Sequence, residues 1–251
     1  DDLVRQGFPT VSALPNQNGN RIIALSIPEG IRHAVLVPFI DGVFNRQPDL
    51  VTIERVGALI ARFHTLTNDF PHVESRPLYD AETLIAQSLL ILQNLQFPPV
   101  SLLDEMNGMR SRLTALLAGL PRETPAFGIV HADLAPSNVL IAPSGELSLI
   151  DFDFFGTGWR AFDLANYLNE IEFWGMGERA DAAFLNGYEQ ERPLDEAERR
   201  SLPLFRILGT IYHLSVPAAH VNTWGSAIYL SDRMMQATVN IVREQARQML
   251  I

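Results

Sequence analysis

Two short stretches of strand-like sequence interrupt a chain otherwise patterned for helices, and this order restricts the architecture more than any single residue does. Residues 21–27 and 32–40 are apolar runs joined across Pro28-Glu-Gly30, which predicts a β-hairpin. From residue 48 the period changes. Leu50, Ile53, Val56, Ile60, Phe63 and Leu66 recur at three- and four-residue spacing, as on one face of a helix. A second helix is expected from a cap at Asp80 to about residue 95, stopped near Pro98-Pro99. A third runs to about residue 120, with Ser101 and Asp104 as its capping box. Short strand-like runs return at 127–130, 139–141 and 147–150. After Trp159 helices are expected at 160–174, 178–191, 194–221 and 226–250, with Pro203 and Pro217 breaking or kinking the third. Segregated elements of this kind predict an α+β architecture rather than an alternating parallel sheet. The leading hairpin is half-built, because two strands do not make a stable sheet alone.

Composition removes several chemistries. All 19 cationic residues are Arg, so the chain offers no Lys for a Schiff base or a phosphate-binding loop, and Arg cannot deprotonate to substitute. With no Cys there is no thiolate nucleophile and no Cys-ligated metal. A net charge of −10 argues against a sequence-independent nucleic-acid binder, which needs a basic footprint. The start of the sequence lacks a basic-then-apolar signal pattern, and residues 204–221 are interrupted by Arg206, Thr210 and His213. No membrane span is expected, and the cytoplasm is the expected location. Oligomeric state is not legible.

The segment that carries chemistry is His131-Ala-Asp-Leu-Ala-Pro-Ser-Asn138, followed by Ile150-Asp-Phe-Asp153. Asp133 falls just after one short strand, Asn138 at the start of the next, and Asp151 at the end of the strand after that. This layout predicts that two carboxylates and an amide oxygen meet, a hard-oxygen set suited to Mg²⁺ carrying phosphates. The spacing His131-x-Asp133-x4-Asn138 also fits the kinase catalytic loop, and Asp151-Phe152 fits its metal motif with Asp153 in place of Gly. Two other readings stay open at this stage: Asp151-Phe-Asp153 as the Asp-x-Asp motif of a glycosyltransferase, and an isolated His-x-Asp without a chemical role.

These residues, with Leu149-Ile-Asp-Phe-Asp153 and Gly158-Trp-Arg-Ala-Phe-Asp-Leu-Ala165, resemble the aminoglycoside phosphotransferase/choline kinase superfamily. The stretch from Gly187-Tyr188 to Trp224 is similar to its homoserine kinase-like and stress-response kinase-like bacterial branch. The resemblance covers most of residues 20–250. It implies a protein-kinase-like fold, with residues 1–42 the remnant of a nucleotide-binding lobe and 43–251 the helical lobe. It implies ATP and Mg²⁺ as cofactors and a hydroxyl of a small molecule as acceptor. By position, Asp133 would be the catalytic base, His131 would brace its loop, and Asn138 and Asp151 would hold Mg²⁺, with Asp153 a further metal group. Val37, Phe39 and Ile40 would meet adenine at a hinge, with Leu140 and Ile150 as its apolar floor. Asp163 would tie down the catalytic loop. The family's phosphate-pairing Lys has no counterpart in these residues, so the chain is expected to be either a fragment or a pseudo-kinase that binds nucleotide without turnover.

One helix face suggests what the acceptor carries. At about 100° per residue, Asp163, Tyr167, Glu170 and Trp174 share a face of the 160–174 helix, while Leu164, Leu168 and Ile171 lie opposite. An acidic and aromatic face would suit an ammonium group. His213, His220, Trp224 and Tyr229 are candidates for a far wall, with core or surface packing the favoured reading of each, and His64 is expected to be a packed helix residue.

Overall fold

The computed structural model describes residues 1–28, 30–70, 76–95, 100–220, 238 and 240–247. In chain order it contains α1 (Asp2–Arg5), β1 (Ile23–Ile27), β2 (Gly30–Ala34), α2 (Leu50–Leu66) and β3 (Leu78–Tyr79). A π-helical turn (Glu82–Gln87) leads into α3 (Ser88–Gln93), then α4 (Val100–Ala118). The central insert holds β4 (Phe127–Val130), β5 (Val139–Ile141), β6 (Leu147–Leu149) and β7 (Gly156–Trp159). Three helices follow: α5 (Arg160–Phe173), α6 (Glu178–Glu191) and α7 (Glu196–Ala219). No helix among the described residues is long and apolar enough to cross a membrane.

β1 and β2 pair antiparallel, with Ile23 opposite Ala34 and Ile27 opposite Gly30, as the turn residues predict. Their side chains are exposed on both faces, so the hairpin has no core of its own. Past β2 the chain runs without regular structure to Val43, which bridges Ile141 at the end of β5.

The apolar stripe of α2 buries Ile53, Val56, Ile60 and Phe63, and Asp49 caps the helix by accepting from the Thr52 N–H at 2.7 Å. This stripe packs on α6 at unusually close range. A Cβ on Gly187 would stand 1.7 Å from the Glu54 carbonyl oxygen, and one on Gly57 would stand 2.1 Å from that of Phe184. Only glycine lets the two backbones approach so closely. Gly187→Ala should therefore cost about 1–3 kcal/mol by overpacking. At about 2–4 °C per kcal/mol for a chain of this size, Tm should fall by roughly 2–12 °C. The control is Gly108→Ala in α4, where an added Cβ meets nothing within 4 Å and Tm should not fall.

The insert forms two small sheets. β7 sits between β4, antiparallel with Phe127 opposite Trp159, and β3, parallel with Leu78 opposite Thr157. β5 and β6 form a separate hairpin, Val139 opposite Leu149.

Several expectations are corrected. β3 and β7 have no strand-like alternation in sequence; Gly-Thr-Gly-Trp forms a strand because neighbours on both sides supply hydrogen-bond partners. Ser101 lies inside α4 rather than at its start, so it is not an N-cap. The capping box belongs instead to α7, where Asp195 accepts from the Glu198 N–H at 2.7 Å and the Glu198 carboxylate accepts from the Asp195 N–H. α7 runs unbroken through Pro203 and Pro217. α5 has no free face along its first two and a half turns: Arg160 through Leu168 are all buried.

Candidate active site

The loop after β4 is fixed from behind by α5. Asp163 in the first turn of that helix receives two backbone N–H groups, from His131 on Oδ2 and Ala132 on Oδ1, each at 2.7 Å. Ala132 has φ +64°, a left-handed conformation that is strained for a residue with a Cβ. Such strain costs on the order of 1–3 kcal/mol and persists only where the surroundings over-determine it. Two charge-assisted hydrogen bonds to a fully buried carboxylate supply that determination. The next residue, Asp133, is thereby turned outward, its side chain about one-third accessible at 33%.

Asn138 closes the loop from the other side. After the 3₁₀ turn at Pro136–Asn138, its Nδ2 donates to the Asp133 carbonyl at 2.7 Å and to Asp133 Oδ2 at 3.0 Å. The amide nitrogen is spent on Asp133, which leaves Oδ1 as the atom available to a cation. His131 is buried, donates from Nε2 to the Ile150 carbonyl at 2.9 Å, and packs its ring 4.9 Å from that of Phe152. The Asn138 carbonyl accepts the Ile150 N–H at 3.0 Å. Ile150 is thus gripped at both backbone groups, and Asp151 follows at φ +63°. Among the described residues Ala132 and Asp151 are the two non-glycine positions with positive φ, and both adjoin the candidate chemistry. Phe152 turns inward onto Phe63 while Asp151 and Asp153 face solvent.

Asp133 and Asn138 thus meet directly, and Asp151 is brought beside their loop through Ile150. No three His, Cys, Asp or Glu side chains converge on one point among the described residues. Mg²⁺ does not need such a cage. It takes one or two protein oxygens and fills the rest of its shell with phosphate oxygens and water, and Asn138 Oδ1 with the exposed Asp151 carboxylate is a donor set of that kind. Of the hinge residues, Val37 and Phe39 are exposed, the latter at 88%, and Ile40 is half-buried; Leu140 and Ile150 are also half-buried.

A buried chain of hydrogen bonds stands behind Asp163. His64 donates from Nε2 to Asp163 Oδ2 at 3.1 Å and accepts at Nδ1 from the Tyr188 hydroxyl at 2.7 Å. That hydroxyl accepts from Arg192, whose other terminal nitrogen donates to Glu198 at 2.6 Å. The capping box of α7 is therefore linked to the loop after β4 through α6 and α2. Burial pushes the His64 pKa down to about 4, against the pull of Asp163, so the ring is neutral, as its two hydrogen bonds require.

A depressed histidine means the unfolded chain binds more protons than the folded one below the ordinary value of 6.5. Stability should be complete above that pH and fall as pH drops from 6.5 toward 4, by up to about 3 kcal/mol from this group. His213, also pushed down by burial, adds in the same direction. Urea unfolding at pH 7.5 and 4.5 checks this: His64→Gln should show a smaller acid loss than the wild type.

The proposed acidic and aromatic face of α5 is corrected in part. Asp163 and Tyr167 are fully buried, Asp163 beneath the loop and Tyr167 stacked 4.4 Å from Phe184 of α6, so neither can receive a substrate. Glu170 and Trp174, at the open end of the helix, remain half-buried. Burial raises the Glu170 pKa while a hydrogen bond from Trp174 lowers it; the charges of Asp133 and Arg46 act on it with opposite signs. His213 stands with Nδ1 3.9 Å from Asp133 Oδ1, its ring stacked on Phe162. His220 caps the exposed end of α7, and Trp224 and Tyr229 lie outside the described residues.

Residues 13–202 match the model of the phosphotransferase enzyme family. The chain belongs to that family. The homoserine kinase of Rhodopseudomonas palustris (strain BisA53) is 32% identical over 230 residues, covering 85% of this chain and 68% of that protein. The chain spans 52–68% of the length of the homoserine kinases it matches. A microcompartment-associated aminopropanol kinase superposes with a TM-score of 0.75 at 19% identity, over 97% of this chain and 76% of that one. An amicoumacin kinase solved with AMP-PNP and Ca²⁺ gives 0.73 at 19%, over 95% and 74%. The phosphotransferase fold seen here is thus protein-kinase-like, with a small β portion and a helical bulk.

Proposed function

We propose that this phosphotransferase moves the γ-phosphoryl group of ATP to a hydroxyl of a small amine-bearing molecule. The observation that carries the reading is the Asp163 fork, which holds a strained loop so that Asp133 faces outward against Asn138. Asp133 orients the acceptor hydroxyl and takes its proton as the oxygen bonds to the γ-phosphorus; the bond to the bridging oxygen breaks and ADP leaves. Asn138 and Asp151 would hold Mg²⁺, whose charge offsets that of the phosphates. Asp153, exposed beside them, is a further group for the same ion. Val37, Phe39 and Ile40 would meet the adenine, with Leu140 and Ile150 below it, and residues 1–42 would belong to a nucleotide-binding lobe. Glu170 and Trp174 are the groups left to face an ammonium. Homoserine kinase and aminopropanol kinase, among the relatives, are both named for acceptors that carry an amine and a hydroxyl.

The test is ADP release by the intact protein with a panel of amino alcohols and hydroxy amino acids. Release should need an acceptor and should stop when EDTA removes divalent metal; release equal with and without acceptor overturns the reading. The absence of Lys from the 251 residues favours a second reading, nucleotide binding without turnover. A thermal shift with ATP and Mg²⁺ but no ADP release on any acceptor supports it.

A further inference from the structure

Asp133 has a histidine neighbour that the reaction above does not use. Its two carboxylate oxygens have different surroundings. Oδ2 accepts from Asn138 Nδ2 at 3.0 Å. Oδ1 has His213 Nδ1 at 3.9 Å, longer than a hydrogen bond, and among the described residues no closer donor reaches it.

His213 is held where it stands. Its ring lies 11° from parallel to that of Phe162, with centroids 6.4 Å apart, and edge-on to that of Tyr212. Phe162 directly precedes Asp163, so the first turn of α5 positions both the loop that carries Asp133 and the imidazole beside it. α7 is pinned on either side of His213. Tyr212 packs edge-on against Tyr79 with ring centroids 5.4 Å apart, and the buried Ser215 hydroxyl donates to that of Ser88 at 3.2 Å.

The surroundings of the two ring nitrogens decide which one carries the proton. Burial holds the His213 pKa below the ordinary 6.5, so at pH 8 the ring is neutral and has one N–H. Nε2 is buried and has no hydrogen-bond partner among the described residues. A proton there would strand a donor away from water, whereas a proton on Nδ1 points at a carboxylate.

We propose that His213 is a positioning residue, which donates from Nδ1 to Asp133 Oδ1 and, with Asn138 on Oδ2, fixes the plane of the carboxylate toward the acceptor hydroxyl. A carboxylate oxygen has two lone pairs, so Oδ1 can take this bond and still face the hydroxyl. The gap of 3.9 Å closes as substrate binds, as hydrogen bonds to reacting groups commonly do. The role rests on the phosphotransferase reading above and adds to it the residue that aims the base.

Two variants separate this role from packing. His213→Phe keeps a ring over Phe162 and removes the donor; His213→Asn gives up the ring and keeps an N–H near the place of Nδ1. His213→Phe should lower kcat by about 10- to 100-fold, the scale of a lost bond that aims a charged reacting group, with KM for ATP unchanged. His213→Asn should fall between it and the wild type. Thermal unfolding should rank the two the other way. His213→Phe should be at least as stable as the wild type, because it removes a buried nitrogen without a partner, and His213→Asn less stable for its lost ring. Nitrogen NMR of the intact protein at pH 8 should find the His213 proton on Nδ1. A proton on Nε2, wild-type kcat in His213→Phe, or kcat that follows Tm across the two variants overturns the proposal, while ADP release by the wild type leaves phosphotransfer standing. A wild type that releases no ADP with any acceptor overturns both.

Discussion

Asp133→Asn should lower kcat by about 10²- to 10⁴-fold, the range a positioned proton acceptor contributes. The substitution keeps the shape of the side chain and removes its basicity. The loop is held by Asp163 and His131 rather than by Asp133, so the fold should persist, with Tm close to the wild type. Affinity for ATP should change little, because Asp133 is assigned to the hydroxyl and not to the phosphates. Steady-state kinetics beside a nucleotide titration separate the two effects. Undiminished kcat contradicts the assignment of Asp133; an equal loss of nucleotide affinity moves Asp133 to the metal.

Asp163→Ala is expected to have the largest effect on stability. It strands the N–H groups of His131 and Ala132 and the Nε2–H of His64, all at buried positions. Removing one partner from a buried charged network costs on the order of 3–5 kcal/mol. Against a total of about 5–15 kcal/mol this brings a marginal protein to the edge of unfolding. Asp163→Asn is the informative variant, since it retains one acceptor for one of the two backbone groups. It should fold with lowered stability, and urea unfolding should show a smaller loss than for alanine. Its kcat should fall while KM for ATP holds, because the left-handed turn at Ala132 is no longer pinned and Asp133 loses its aim. Wild-type kcat in folded Asp163→Asn would show that the fork serves stability alone.

What was legible in the sequence follows physical lines. The α2 stripe could be read because its period is local and one partner, α6, covers it. The placement of Asp133, Asn138 and Asp151 around one loop could be read because strand, loop and strand fix where they fall. The face of α5 was misread at Tyr167 for an instructive reason. Periodicity says which residues share a face, but not that Phe184 of another helix lies over it. The path from Glu198 through Arg192 and Tyr188 to His64 joins residues far apart in sequence, so no local pattern could show it; only its outer end, the Asp195-x-x-Glu198 box, had a readable signature. Asp151 joins the loop through the backbone of Ile150 rather than by side-chain contact, a link that no local pattern shows.

The central claim is that the loop from His131 to Asn138 supports phosphoryl transfer to a hydroxyl. Phosphorus NMR of the intact protein with ATP, Mg²⁺ and an amine-bearing alcohol tests it most directly. The account predicts a new phosphomonoester resonance growing in step with ADP, and its loss in Asp133→Asn. Bound ATP that stays intact, or inorganic phosphate as the sole new product, would contradict it.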